Sequence, residues 1–461
     1  MYDDIIKYDK MNKLISAIIS VAAIFLSATD AHGLSGAWRG SLDLEQMKLP
    51  LTFNFTEMPS GETQCTMDSP SQGAKGIATE VVLCTSDSIS LKCNAIMASY
   101  TGKISDGTIK GVFCQRGFSF PLDLTPDNPD ENRRPQTPIP PFPYSAIDTT
   151  FTAQDGAVMA ATLTIPPNAS SKKIPAVVMV TGSGPQNRDE EYCEHKPFAV
   201  IADYLARIGI ASLRYDDRGT GKSTGDFISS STLTFKDDAV SGIEFLRSIG
   251  CIGPVGVLGH SEGGTIAFII GSEGKADFII SLAGMAISGK ETMMRQNEQG
   301  LDKLNLSEED KANSLKLIDR VFDEMASQTK LGVSTPINID ELVTNNNLSV
   351  PQMVIQSLKM TQKTRGPWVD ILVTLNPREF LGNVKCPVLA INGTKDTQVF
   401  PDNLKVINEY ISQAEIKLMP GLNHLLQHAA TGDVSEYDEI RETISPEVLD
   451  AIGLFIRNNY K

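Results

Sequence analysis

Residues 254–268 read PVGVLGHSEGGTIAF, and this stretch constrains the fold more than any other. A short apolar run at 255–258 passes at once into Gly259-His260-Ser261-Glu262-Gly263, and then into a segment compatible with helix. A serine at such a strand–turn–helix junction is the nucleophile elbow: the backbone is strained and the hydroxyl projects clear of the sheet. Gly259 and Gly263 stand two residues either side of Ser261, where side chains would collide in so tight a turn. Five residues with three fixed positions are a weak pattern alone. The buried strand before and the helix after strengthen it against the simpler reading, a glycine-rich turn in an ordinary α/β domain.

The surrounding sequence has the rhythm such a scaffold needs. Residues 147–152 and 158–165 alternate in polarity around Gln154-Asp155-Gly156, as in a hairpin. Residues 176–180 are continuously apolar, the signature of a strand buried on both faces. Phe198, Ile201, Tyr204, Leu205 and Ile208 recur at helical spacing. Strand at 211–215, helix at 236–248, strand at 255–258 and later strands at 278–282, 387–392 and 415–419 continue the alternation. This predicts an α/β fold with a mostly parallel sheet flanked by helices. Between 285 and 380 the rhythm stops. Residues 291–328 and 350–360 read as helices, so a helical cap is expected at about 287–380, a solvated decoration away from the site being the other reading.

Upstream lies a different composition. Residues 33–124 carry short alternating runs at 49–55, 81–84, 88–93, 108–113 and 118–124, separated by turn residues, which predicts a small antiparallel β domain. Packing, substrate binding, shading of the site and homodimerisation are all open to it. Residues 125–144 hold seven prolines in twenty positions and are expected to form an extended linker. At the N-terminus Lys7, Lys10 and Lys13 precede an apolar run at 14–26 and then Ser27-Ala28-Thr29-Asp30-Ala31. That order is the pattern of a secretory leader, and the run is short for a membrane anchor. The expected division is therefore a signal peptide at 1–31, a β domain at 32–124, a linker at 125–145 and the α/β domain at 146–461. Export to the periplasm or medium follows from the first.

A formal charge of −15 argues against nucleic acid and anionic membrane as partners. Cys65, Cys84, Cys93 and Cys114 fall close together in the β domain, and one or two disulfides are expected there if the chain is exported; Cys193, Cys251 and Cys386 make seven in all. His424 and His428 form an H-x-x-x-H pair without the glutamate of a zinc helix, so no metal is expected.

A serine hydroxyl needs a base to take its proton and a third group to orient that base. On this scaffold the order is serine, then acid, then histidine. Only His424 and His428 lie downstream of Ser261, and His424 follows the strand at 415–419 through a short loop. Asp396 follows the strand at 387–392 in the same way, with Asp402 as the second choice. Backbone N–H groups for the developing oxyanion are expected from Glu262, after the nucleophile, and from Ser183 or Gly184 in the loop after 176–180.

Gly-Ser-Gly-Pro at 182–185, Arg-Tyr-Asp-Asp-Arg-Gly at 214–219, Gly-His-Ser-Glu-Gly, Asn-Gly-Thr-Lys-Asp at 392–396 and Gly-Leu-Asn-His at 421–424 together resemble the α/β-hydrolase superfamily. They are most similar to its bacterial carboxylesterase branch, near dienelactone-hydrolase-like and prolyl-peptidase-like members. The resemblance spans about residues 150–455. It implies a Ser261–Asp396–His424 triad and an ion pair between Asp217 and Arg218 as a scaffold element. Two departures stand out: dienelactone hydrolases proper carry a cysteine nucleophile, and the oxyanion loop here reads Thr-Gly rather than His-Gly. The expected activity is hydrolysis of a small-molecule carboxylic ester through an acyl-enzyme, with no metal or organic cofactor. Met285, Met293 and Met294 are candidate cap-base residues for a small or medium acyl group. A peptidase acting on short peptides and a non-catalytic envelope binding protein are the competing readings.

Overall fold

The computed structural model describes residues 34–460, apart from 44–47, 71–73, 129–133, 168, 170–172 and 364. The expected leader at 1–31 lies outside the described residues. The described chain falls into two compact units that divide after Asp127, with Asp43–Pro50 and Ser69–Lys75 grouped with the second. No described helix is long and apolar enough to cross a membrane.

The first unit is a nine-stranded sheet: β1 (Gly36–Asp43), β2 (Lys48–Glu57), β3 (Thr63–Ser69), β4 (Ala74–Cys84), β5 (Ser88–Cys93), β6 (Ala98–Ser105), β7 (Thr108–Gln115), β8 (Phe118–Pro121) and β9 (Thr125–Pro126). The strands lie in chain order except β9, which pairs antiparallel with β1. The alternation that marked this region buries Phe53, Phe55, Leu91, Tyr100, Ile109 and Phe113. Phe53 and Tyr100 stack with ring centres 5.3 Å apart, and the Tyr100 hydroxyl donates to Leu122 O at 3.1 Å. The expected disulfides are not formed: no disulfide joins any of the seven cysteines. The register explains it, since Cys65 faces Phe55, Cys84 faces Ile89, Cys93 faces Ala98 and Cys114 faces Ser99, so none of the four meets another cysteine across a ladder.

The proline-rich segment differs from its expectation at both ends. Thr125 and Pro126 belong to the first sheet, opposite Arg39 and Trp38. Farther on, Arg134 is buried in the second unit and donates to Cys193 O, Asp438 O and Ile440 O. Gln136 accepts from Thr443 N and donates to Ile444 O at 2.8 Å. A segment whose prolines remove backbone donors cannot build a ladder; here its long polar side chains fasten it instead.

The second unit carries an eight-stranded sheet, β10 (Ser145–Thr152), β11 (Val158–Ile165), β12 (Ile174–Val180), β13 (Ala211–Tyr215), β14 (Ile252–His260), β15 (Ile279–Leu282), β16 (Val388–Gly393) and β17 (Glu415–Met419). Its order is β10-β11-β13-β12-β14-β15-β16-β17; the first two pairings are antiparallel and the rest parallel. Between strands run α1 (Pro197–Arg207), α2 (Thr232–Ser248) and α3 (Glu262–Ser272). Between β15 and β16 the chain makes α4 (Gly289–Asp302), α5 (Glu308–Lys330), α6 (Ile339–Asn345), α7 (Gln352–Lys363) and α8 (Pro367–Thr374), and α9 (Asn403–Tyr410) and α10 (Pro446–Asn459) follow. One apolar layer joins the sheet to α2, α3 and α9, the other joins it to α1 and α10. Both faces are thus covered, as the continuous apolar strands required.

The inserted helices bury a core of their own, including Leu301, Leu317, Val321, Phe322, Met325 and Leu358. The sequence reading of one long helix at 291–328 is corrected here. The chain breaks after Asp302 because Ser307 caps a new helix by accepting from Asp310 N at 3.0 Å, with Glu308, Glu309 and Asp310 in its first turn.

Candidate active site

Three strand ends deliver the side chains that the sequence singled out. Ser261 directly follows β14 and takes φ 53° and ψ −117°, a strained backbone for a residue with a side chain. The flanking glycines are obligatory. A Cβ on Gly259 would stand 2.0 Å from Gly263 O, and one on Gly263 would stand 2.1 Å from Val180 O. Strain at Ser261 is held by its N–H, which donates to Leu282 O at 2.8 Å, and by its carbonyl, which accepts from Gly264 N at 3.0 Å.

Asp396 lies three residues beyond β16 and is buried. Its Oδ1 accepts from Gln398 N at 2.8 Å and Val399 N at 2.9 Å, leaving Oδ2 to face His424 Nδ1 at 2.8 Å. With Nδ1 donating to the carboxylate, Nε2 is the nitrogen left to work. Ser261 and His424 line one cavity of about 520 Å³. The alternatives separate from the site: His428 is exposed and bonded to Glu442 at 2.9 Å, and Asp402 holds Arg295 of α4 at 2.9 Å.

The loop after β12 also reaches the cavity. Gly182 and Ser183 line it, whereas Gly184 borders a separate water-sized void. Gly182 N–H is committed to Glu190 Oε1 at 2.7 Å. Asp217 holds the loop in place, accepting from Thr181 Oγ1 at 2.8 Å and Gln186 N at 2.9 Å. Burial pushes the Asp217 carboxyl well above the usual carboxylate range, and nearby Glu190 and Glu262 push the same way. The expected Asp217–Arg218 pair does not exist. The two neighbours face apart, and Arg218 bonds Asp238 of α2 and Asp155 instead, each at 2.8 Å.

The family model described as X-Pro dipeptidyl-peptidase (S15 family) matches residues 155–427, which takes in all three strand ends. The chain belongs to that family. It is an α/β-hydrolase superfamily member with esterase and peptidase relatives. Esterase EstD of Thermotoga maritima is 26% identical over 330 residues, covering 70% of this chain and 67% of that protein. Among solved structures, the Pyrococcus furiosus esterase PF2001 covers 68% of this chain and 91% of its own at 16% identity, with a TM-score of 0.43. Est1E from Butyrivibrio proteoclasticus, in its structure with ferulic acid bound, covers 67% and 98% at 15% identity, with a TM-score of 0.41.

In this S15-family chain the inserted helices form the roof of the cavity. Met293, Phe322, Leu358, Trp368 and Leu372 come from α4, α5, α7 and α8, and Met285 joins them from below. Met294, the third expected methionine, packs against the roof's own core instead. Trp368 is the residue that sequence reasoning missed on this side. Its Nε1 donates to both carboxylate oxygens of Glu262, at 3.0 and 2.9 Å, while Thr232 Oγ1 donates to Oε1 at 2.7 Å. Glu262 is buried next to Ser261, and burial raises its carboxyl above the usual range; hydrogen bonds from Thr232, Trp368 and Ser183 work against that rise. On the floor the missed residues are Glu190, Tyr192 and Tyr437. Among the described residues lining the cavity, the carboxylate is Glu190, and it is already bonded to His260 at 2.9 Å.

Proposed function

We propose that this chain is a serine hydrolase of neutral carboxylic esters, with Ser261 as nucleophile, His424 as base and Asp396 as its orienting acid. The observation that carries the reading is the 2.8 Å bond between His424 Nδ1 and Asp396, on a cavity shared with the strained Ser261 elbow. His424 Nε2 takes the Ser261 proton as Oγ attacks the ester carbonyl. The oxyanion is stabilised by the Glu262 N–H, which as the first of its helix has no intrahelical acceptor, and by the N–H of Ser183, in the loop that borders the cavity. His424 returns the proton to the leaving alcohol, and water then releases the acyl group by the reverse proton path.

The cavity chemistry supports a neutral substrate. A peptidase that reads a free N-terminus needs a carboxylate for the ammonium, and Glu190 is occupied by His260 and Gly182 N–H. A volume of about 520 Å³ suits a substrate of medium size. The competing reading, cleavage of short peptides, is favoured by the family match at 155–427.

Hydrolysis of p-nitrophenyl acetate through octanoate, beside X-Pro p-nitroanilides, separates the two. Esters are expected to turn over, and Ser261→Ala to lower kcat on the order of a thousandfold or more. Folded protein inert to every ester and unlabelled by a fluorophosphonate would end the esterase reading; turnover of the anilides alone would replace it with the peptidase.

A further inference from the structure

We propose that Glu190 and His260 form a buried charge pair that positions the two loops flanking Ser261, the one ending β12 and the one bearing His424. The inference rests on the hydrolase reading above and adds two positioning residues to it.

His260 is the residue before the nucleophile, and its ring bonds at both ends. Nδ1 faces Glu190 Oε1 at 2.9 Å, and Nε2 faces the main-chain oxygen of His424 at 2.9 Å. A carbonyl oxygen only accepts, so Nε2 carries a proton. Glu190 Oε1 already accepts from Gly182 N–H at 2.7 Å, and beside a carboxylate Nδ1 carries a proton as well. With Glu190 ionised, only the imidazolium makes both bonds at once. The ring therefore ties together three strand ends: β12 through Gly182, β14 through its own backbone, and β17 through His424.

The surroundings agree. Glu190 is buried at φ 52°, in a run in which each charge has its own partner: Arg188 bonds Asp216 at 2.9 Å, Asp189 bonds Arg214, and Glu190 bonds His260. On its far side the pair meets Phe198, Ile201, Leu282, Leu426 and Ile444 around a void of about 10 Å³, an apolar wall that weakens screening from that side. Burial alone would lower the ring's affinity for its proton; Glu190, the His424 carbonyl and the more distant Asp396 outweigh it and push the pKa up to about 9. His424 is the other titratable group facing the ring, with centroids 4.8 Å apart.

Glu190→Gln tests the pair. The amide oxygen can still accept from Gly182, but a buried imidazolium without its counter-charge gives up a proton, and a neutral ring makes one of the two bonds, not both. In the wild type, ¹⁵N-histidine NMR at about pH 8 is expected to show both His260 nitrogens protonated, titrating near 9, with kcat falling through the same range. In Glu190→Gln one nitrogen is expected to be bare at about pH 8, the alkaline limb to vanish, and kcat to fall on the order of tenfold with KM changed less than about twofold. Should the variant fail to fold, the wild-type titration decides by itself: a singly protonated His260 at about pH 8 overturns the pair. An unchanged alkaline limb, or a His424 resonance that does not move in Glu190→Gln, overturns the positioning role. Absence of both ester hydrolysis and fluorophosphonate labelling in the wild type sinks the hydrolase reading instead, and the His424 resonance then still reports on the clamp.

Discussion

The floor and the roof of the cavity are built by different means. The floor is a set of strand ends held by backbone hydrogen bonds and buried polar side chains: Asp396 on two N–H groups, Asp217 on the loop at 181–186, His260 between Glu190 and His424. The roof is a small helical body with its own apolar core. Its polar ties to the rest of the unit include Trp368 to Glu262 inside the cavity, and Arg295 to Asp402, Gln296 to Gln398 O and Lys303 to Asp433. Directional bonds fix atoms to fractions of an ångström; apolar packing fixes volume and lets a body shift as a unit. The floor thus suits chemistry and the roof suits selection, so damage to the floor is expected in kcat and damage to the roof in KM.

Asp396→Asn gives the largest effect that this division expects, after loss of the nucleophile itself. The amide oxygen can keep Gln398 and Val399 N–H, but its nitrogen then points at His424 Nδ1 and favours the wrong tautomer. Steady-state assays with p-nitrophenyl esters should show kcat lower by about 10³–10⁴-fold with KM little altered. A loss below tenfold would mean that the acid lies elsewhere.

Trp368→Phe strikes the roof. The ring volume stays nearly filled, but both bonds to Glu262 go, and a buried carboxylate loses a donor at about 1–3 kcal/mol. KM should rise roughly three- to tenfold with kcat within about twofold, because the cap loosens while the strand ends stay fixed. If kcat collapsed and KM held, Glu262 would depend on its roof partner to present its N–H, and the division between floor and roof would fail.

Much of the floor was legible in the sequence, and little of its bracing. Ser261, Asp396 and His424 were singled out because each follows its own strand, in an order the scaffold imposes. Strand ends carry a local signal. Glu190 lies 70 residues from His260, and Trp368 lies 106 from Glu262, so no spacing or periodicity links either pair. Arg218 shows the opposite failure: the family resemblance implied a pair with Asp217, and Arg218 bonds Asp238 and Asp155 instead. The first unit yielded β2, β5, β7, β8 and the end of β4 from short alternating runs, whereas β1, β3 and β6, rich in Ser, Thr and Gly, gave no such pattern.

Two buried histidines beside the floor have pKa values shifted in opposite directions, and together they predict a gentle bell in stability. His260 has its folded pKa raised from 6.5 to about 9, so its contribution is whole below about 6.5 and is lost as pH climbs through 9. His195 is the reverse. Its Nε2 donates to Tyr437 O and its Nδ1 accepts from Thr443 Oγ1, both at 3.0 Å; burial and then the Arg134 charge push its pKa down to about 4. The unfolded chain binds a proton there that the native ring refuses, so this contribution is lost as pH falls from 6.5 towards 4. The melting temperature should therefore peak near pH 6.5 and decline by a few degrees on either side. Glu190→Gln should flatten the alkaline slope and leave the acid one, and His195→Gln should weaken the acid slope and leave the alkaline one. Slopes that both variants leave intact would place the titrating groups outside the floor.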